Sequence, residues 1–134
     1  MSDWNDTVIA EFRANGGKVA QFGDAPMVIL NTVGAKTGVV REIPLVAMPQ
    51  DGRLVVFASA AGSPKHPDWY FNLLAHPVIS VEFGTQRYDA TVTELPADEA
   101  AAAIASMATV MPQFGVYVET AKPRTIPAFS IVKN

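Results

Sequence analysis

Residues 27–46 read MVILNTVGAKTGVVREIPLV, two apolar runs joined by a turn with glycine at both ends. Val, Ile and Leu dominate the first run, and Val40, Ile43, Leu45 and Val46 supply the second, so the pattern predicts strands over 26–32 and 39–48 folded back on each other. Pro44 interrupts the second run. It has no N–H for a ladder bond, so this strand must have an edge or a bulge there. Gly34 and Gly38 can take φ > 0, where other residues are strained. With Lys36, Thr37 and Arg41, the turn can offer backbone N–H groups, a hydroxyl and two cations to one anion. The alternative is an ordinary hairpin turn with solvated Lys and Arg. GAKTG is too short for a P-loop and is flanked by strands rather than by a helix.

The remaining segments place this hairpin in a strand-rich chain. Residues 4–15 predict a short helix with Trp4, Val8 and Phe12 near one face, joined by Ile9 and Asn15. Asp3 can cap it, Asp6 suits its N-terminus, and Gly16-Gly17 ends it. Trp4 and Phe12 either anchor this helix on the core or form a lid over a ligand or membrane surface. Residues 49–52, PQDG, predict a tight turn before a strand over 53–58. Pro67 opens a helix running to about residue 75 that carries Trp69, Tyr70, Leu73 and Leu74, and His76-Pro77 closes it. Residues 78–83 and 86–94 form a second hairpin about Gly84-Thr85. An alanine-rich helix spans 96–110, with Asp98 and Glu99 in its first turn, and Pro112 ends it. A short helix follows over 113–120, and a strand over 125–132 completes the sheet. The helices are too few and too irregularly placed for alternating βα units. The chain is therefore mainly β with flanking helices, a small, strongly curved antiparallel barrel.

Composition narrows the function. The 134 residues suit one domain, 1–134, with the N-terminal helix attached. No run of 18 apolar residues spans a membrane, and MSDWNDTV lacks the basic and apolar regions of a secretory signal, so a cytoplasmic protein is expected. The chain has no cysteine and therefore no disulfide or thiolate chemistry. A net charge of -3 argues against non-specific nucleic-acid binding. Even so, Lys36, Arg41, Lys65 and His66 can focus positive potential on one anionic ligand. The small loop 59–65 lets a planar ring approach at Ala60, Ala61 and Gly62, with Ser59 hydrogen-bonding a ring carbonyl or nitrogen. A plain crossover loop is the alternative. His66, Asp68 and His76 lack metal-site spacing. His66 either caps its helix or touches a ligand tail, and Trp69 is either core or pocket wall. Asn72, four residues after Asp68, can hydrogen-bond to a neighbouring strand or a ligand. Tyr117 can donate a hydrogen bond over a substrate or grip the barrel half-buried. There is no nucleophile elbow and no catalytic carboxylate pair. The expectation is that the glycine hairpin holds the phosphate of a flavin-like cofactor.

In order and spacing, FRANGG (12–17), PMVILNTVGAKTG (26–38), REIPL (41–45), SPKHPDWYFNLLAHP (63–77), VEFGTQRYDA (81–90) and PRTIPAFSI (123–131) carry a likeness to a known family. The chain resembles the deazaflavin (coenzyme F420)-dependent nitroreductases of actinobacteria, also described as F420H2-dependent quinone reductases. The resemblance implies a split β-barrel, FMN-binding-like. It implies reduced F420 as hydride donor from C5 of its ring, and a quinone, enone or nitroaromatic as acceptor. Carried over by position, Lys36, Thr37, Gly38 and Arg41 contact the cofactor phosphate and tail. Ser59 lies beside the ring, and Lys65, His66, Pro67, Trp69 and Asn72 shape the pocket wall. Pro44 and Ala60 complete the cofactor-binding set. Tyr117 faces the acceptor, and Tyr117 and Ser59 are the catalytic candidates.

Two departures bear on the acceptor. Ala60 stands where relatives often carry lysine, and Met111 and Phe114 replace tyrosines of nitroreducing members, which favours quinones or enones over nitroimidazoles. The alternatives are a non-catalytic F420 carrier and an FMN- or haem-binding barrel. If the acceptor is menaquinone, Trp4, Phe12 and Met111 are candidates for peripheral contact with the cytoplasmic membrane face. Related barrels are often dimers, so a homodimer stays open.

Overall fold

The computed structural model describes residues 3–23 and 25–134. The capping expectation for Asp3 rests on a side chain outside the described set. Helix α1 (Asp3–Ala14) is followed by strands β1 (Met27–Val33), β2 (Val40–Val46), β3 (Met48–Gln50) and β4 (Arg53–Phe57). Helix α2 (Asp68–Ala75) leads into the hairpin β5 (Val78–Phe83) and β6 (Gln86–Glu94). Helices α3 (Ala97–Val110) and α4 (Gln113–Thr120) precede the last strand, β7 (Ala128–Lys133).

The strands form one antiparallel sheet in the order β2-β1-β5-β6-β7-β4-β3. β2 and β3 stand at opposite ends of that order, yet only Ala47 separates them in sequence. The run 40–50 therefore belongs to both edges and closes the sheet on itself, which leaves few unpaired strand groups. Ala47 is fully buried at the break, and its N–H donates to Pro26 O at 2.9 Å. Pro44 sits opposite Ile29 on a strand whose one sheet neighbour is β1, so its missing N–H costs the ladder no second partner.

Strands β1 and β4 are covered on both faces, which is why they read as continuous apolar runs rather than alternating ones. Val28 and Leu30 of β1 and Leu54 and Val56 of β4 pack with Trp69 and Leu73 of α2. On the other face of β1, Met27 and Ile29 meet Val8, Ile9 and Phe12 of α1. Val55 and Phe57 of β4 meet Ile104 and Met107 of α3 and Phe114 of α4. Burial of each such side chain contributes about 1.5–3 kcal/mol. Phe12 is 1% exposed, so it anchors α1 and is not available for membrane contact. Trp4 is 49% exposed and meets Phe22 edge-on.

Several boundaries differ from the sequence pattern, among them β2, which stops at Val46 rather than at 48. Pro49 and Gln50 belong to β3, and the turn is the pair Asp51-Gly52, with φ of 52° and 79°. Two positive φ values define a turn whose twist matches its flanking strands. β7 begins at Ala128, three residues later than the apolar pattern suggests, because Pro127 ahead of it spends its carbonyl on Ala58 N–H. Pro67 and Pro96 occupy the capping positions of α2 and α3 rather than their first turns.

Candidate functional site

The β1–β2 turn is held from within and from α2. Gly34 N–H donates to Val39 O and Gly38 N–H to Gly34 O, both at 2.9 Å. Thr37 Oγ1 accepts from Val39 N–H at 3.2 Å, which leaves its own O–H as a donor. A Cβ at Gly34 would stand 2.5 Å from Thr37 Oγ1, so this position has no room for a side chain. Asn72 Oδ1, on α2, accepts Ala35 N–H at 3.0 Å and fastens the turn to the helix. Between hairpin and helix lies a cleft of about 810 Å³. Gly34, Ala35, Lys36, Thr37, Arg41 and Ile43 line it from the hairpin, Asp68, Trp69, Phe71 and Asn72 from α2, and Asn5 from α1. Two cations face one carboxylate, so the cleft carries a positive excess. Its volume falls within the range of small-molecule sites, about 300–1,000 Å³.

Ser59 and Tyr117 line neither this cleft nor the larger one beside His66. Ser59 precedes a tight turn, Ala60–Gly62, in which Ala60, Ala61 and Gly62 all have positive φ, at 47°, 53° and 82°. Two non-glycine residues in that region cost free energy and persist only where their surroundings hold them. Here the surroundings are α4 and the segment after it. A Cβ at Gly62 would overlap Thr120 Oγ1 and come within 3.2 Å of Tyr117 Cα, so the loop lies directly on α4. Thr120 Oγ1 donates to Gly62 O at 3.0 Å. Arg124 donates to Ala58 O at 2.9 Å, to Ser59 O at 3.0 Å, and to Ser63 O at 2.7 and 3.1 Å.

The same guanidinium lies 3.1 Å from His66 Nδ1. Arginine only donates, so Nδ1 accepts and the neutral ring carries its proton on Nε2. Burial, then the charge of Arg124, holds His66 below its ordinary pKa, while Glu94 opposes the shift. The ring stacks on Tyr70, with centroids 4.3 Å apart. Tyr70 O–H in turn donates to Glu94 at 3.1 Å, and burial first, then Glu94, raises the Tyr70 pKa. This polar chain walls a larger cleft of about 1140 Å³, whose apolar sides come from Leu95, Ile104, Ala108, Val118 and Ile126.

The predicted residues therefore fall into groups. Lys36, Thr37, Arg41, Trp69 and Asn72 share the smaller cleft, and His66 lines the larger one. Among the described residues, none lines both. Ser59 and Ala60 belong to the loop whose Gly62 packs on α4 beside the Tyr117 backbone. Trp69 is both core and wall: it is 7% exposed, packs against Phe129, and lines the smaller cleft. Tyr117 is half-buried, its ring edge-on to Phe114 at 5.4 Å. Gly38 closes the hairpin turn at φ 69° without lining the cleft. Lys65 is exposed, its N–H bonded to Ser63 Oγ, and Pro67 caps α2. Pro44 is buried opposite Ile29, on the α1 side of the sheet, whereas its neighbours on alternate positions, Arg41 and Ile43, face the cleft. Arg124 stands out in the sequence beside Phe114 and Tyr117, but its link through His66 and Tyr70 to Glu94 is not visible there. The one available signal was a lone arginine in an otherwise uncharged stretch, PRTIPAF.

A curled antiparallel sheet, split at Ala47 and flanked by helices, makes this a split β-barrel protein. Solved structures of the same kind include an F420-H2 dependent reductase (FDR-A), 36% identical, with TM-score 0.69, covering 79% of this chain and 93% of its own. A domain-swapped dimer, 32% identical with TM-score 0.71, covers 96% of this chain and 97% of its own. The chain belongs to the F420H(2)-dependent quinone reductase family, whose model matches residues 4–132. An F420H(2)-dependent quinone reductase of Mycobacterium tuberculosis is 32% identical over 84 residues, which is 61% of this chain and 56% of that protein. The match thus spans little more than half of that relative's length. Among the described residues, no helix is long and apolar enough to cross a membrane.

Proposed function

We propose that this protein is a reductase that takes a hydride from reduced coenzyme F420 and delivers it to a quinone, enone or nitroaromatic acceptor. The observation that carries the reading is the positively charged cleft between the glycine hairpin and α2, fixed by the Asn72–Ala35 hydrogen bond. Its donors fit an anionic tail. Lys36 offers a point charge, Arg41 a fork for two phosphate oxygens, and Thr37 a free O–H. Trp69 supplies an apolar wall and Asn72 holds the turn in place.

When bound, F420H2 supplies the hydride, and the protein supplies orientation and electrostatics. Ser59 and Tyr117 are assigned to the reacting end. A hydroxyl from either stabilises negative charge growing on the acceptor oxygen, a role worth about 3 kcal/mol for one well-placed donor. Phe114, buried beside Tyr117, adds apolar area there and no hydroxyl, which suits quinones and enones better than nitro groups. The reading takes 1–134 as one domain working in the cytoplasm. Peripheral membrane contact would use exposed Trp4, Val39 and Val40, two of which flank the hairpin. A homodimer is part of the same reading, since one solved relative is a dimer.

Titration with F420, FMN and haem, followed by fluorescence quenching or absorbance, tests the cofactor assignment. F420 is expected to bind and the other two are not. Oxidation of F420H2 with menadione then separates an enzyme from a carrier. Preferential binding of FMN or haem overturns the proposal, and F420 binding without turnover leaves the carrier.

A further inference from the structure

We infer that Arg124 is a positioning residue for Ser59, clamping the loop that carries it from the segment that follows α4. The inference rests on the functional reading above for the role of Ser59, and on hydrogen bonds alone for the clamp. The loop needs an external hold, because Ala60 and Ala61 sit in succession at positive φ, where an alanine is strained. Its internal bonds, Gly62 N–H to Ser59 O at 2.8 Å and Ser63 N–H to Ala60 O at 3.0 Å, close one tight turn only.

Thr120 Oγ1 holds Gly62 O from α4, and Arg124 holds the residues on either side of the turn. One planar guanidinium spans the carbonyls of Ala58, Ser59 and Ser63 and reaches His66 Nδ1, so both ends of the strained turn bear on one rigid group. The Ser59 carbonyl is held directly, which fixes the backbone from which the hydroxyl projects. Arg124 itself stands outside the smaller cleft and touches none of the cations proposed for the cofactor tail. Loss of the clamp should therefore disturb turnover more than cofactor affinity. Lysine preserves the charge but has no fork, so it cannot bridge three carbonyls at once.

The test compares wild type with Arg124→Gln and Arg124→Lys by three measurements. These are F420 affinity from fluorescence quenching, turnover of F420H2 with menadione, and amide hydrogen exchange across 59–65 in the cofactor-free protein. Arg124→Gln should lower turnover by about 10- to 100-fold, the scale of a misplacement near 1 Å. Its F420 affinity should fall by a smaller factor than its turnover, because the groups of the smaller cleft are untouched. The Gly62 and Ser63 amides should exchange faster. Arg124→Lys should fold and fall between the two. Wild-type turnover in Arg124→Gln overturns the inference. So does a fall in turnover and affinity in equal proportion in both variants, which would mark a general loss of fold. If wild type neither binds F420 nor oxidises F420H2, the functional reading fails. Amide exchange still decides the clamp, and unchanged protection in Arg124→Gln would refute it.

Discussion

Asn72 Oδ1 accepts the backbone N–H of Ala35 at 3.0 Å, so one side chain of α2 sets where the glycine hairpin stands. Removing the acceptor in Asn72→Ala should destabilise the protein by about 1 kcal/mol, the net worth of one hydrogen bond, and weaken F420 binding. Asn72→Asp keeps the acceptor but puts a negative charge on the cleft wall. Its stability should stay near wild type while F420 affinity falls further than in the alanine variant. Urea unfolding and fluorescence titration of both variants separate the two effects.

Arg41 and Lys36 line the same cleft and face an anionic ligand in the proposed reading. Arg41→Ala should raise the F420 Kd by about tenfold, which corresponds to about 1.4 kcal/mol. Turnover at saturating F420H2 should change less, because the contact is made equally in ground and transition states. Added salt should weaken wild-type binding more steeply than that of Arg41→Ala, since screening acts on the lost charge. Equal affinity for F420 in wild type and Arg41→Ala would remove Arg41 from the site.

Gly34 tests the turn without touching charge. Gly34→Ala places a methyl group 2.5 Å from Thr37 Oγ1 and 3.3 Å from Val39 O. Overpacking of this kind costs about 1–3 kcal/mol. Thr37→Ala removes the nearer clash, so the double variant should lose less stability than the sum of the two single losses. Denaturant unfolding of the four proteins in the cycle gives that coupling directly. Additive losses would mean that the hairpin shifts as a whole.

These residues show which parts of the molecule local pattern can reveal. Strands β5 and β6 and helix α4 were legible to the residue, because alternation, the Gly84-Thr85 turn and a proline stop lie within a few positions of each other. Closure of the barrel at Ala47 was not, since nothing in one alanine says that the strands on either side join opposite sheet edges. The cations of the hairpin line one cleft with Asp68 and Asn72, which lie four apart on one helix face, and the hydrogen bond expected of Asn72 goes to the hairpin turn at Ala35. His66 precedes α2 and stacks on Tyr70, which lines the larger cleft, so it is turned away from the smaller one. Arg124 acts on carbonyls some 60 positions away, and carbonyls carry no residue identity for a pattern to read.

Two groups should set the pH dependence of stability in successive windows. The folded protein holds His66 below its ordinary 6.5 through burial and the charge of Arg124, so the unfolded chain binds that proton more readily. Glu94 draws the shift the other way, while Tyr70 and Phe71 pack against the ring without charge at neutral pH. Stability is therefore full above 6.5 and declines as pH falls through the His66 window, where protonation also removes the Nδ1 acceptor of Arg124. Glu82 gives a second step. Hydrogen bonding to Arg13, the largest cause, together with Asn31 and the charge of Arg87, lowers its pKa below 4.5. Its contribution is present above 4.5 and is lost as pH falls through the folded value. Urea unfolding between pH 8 and pH 3 should show both declines. His66→Gln should flatten the first and leave the second, and Glu82→Gln should do the reverse. A first decline that survives in His66→Gln would assign it to another group.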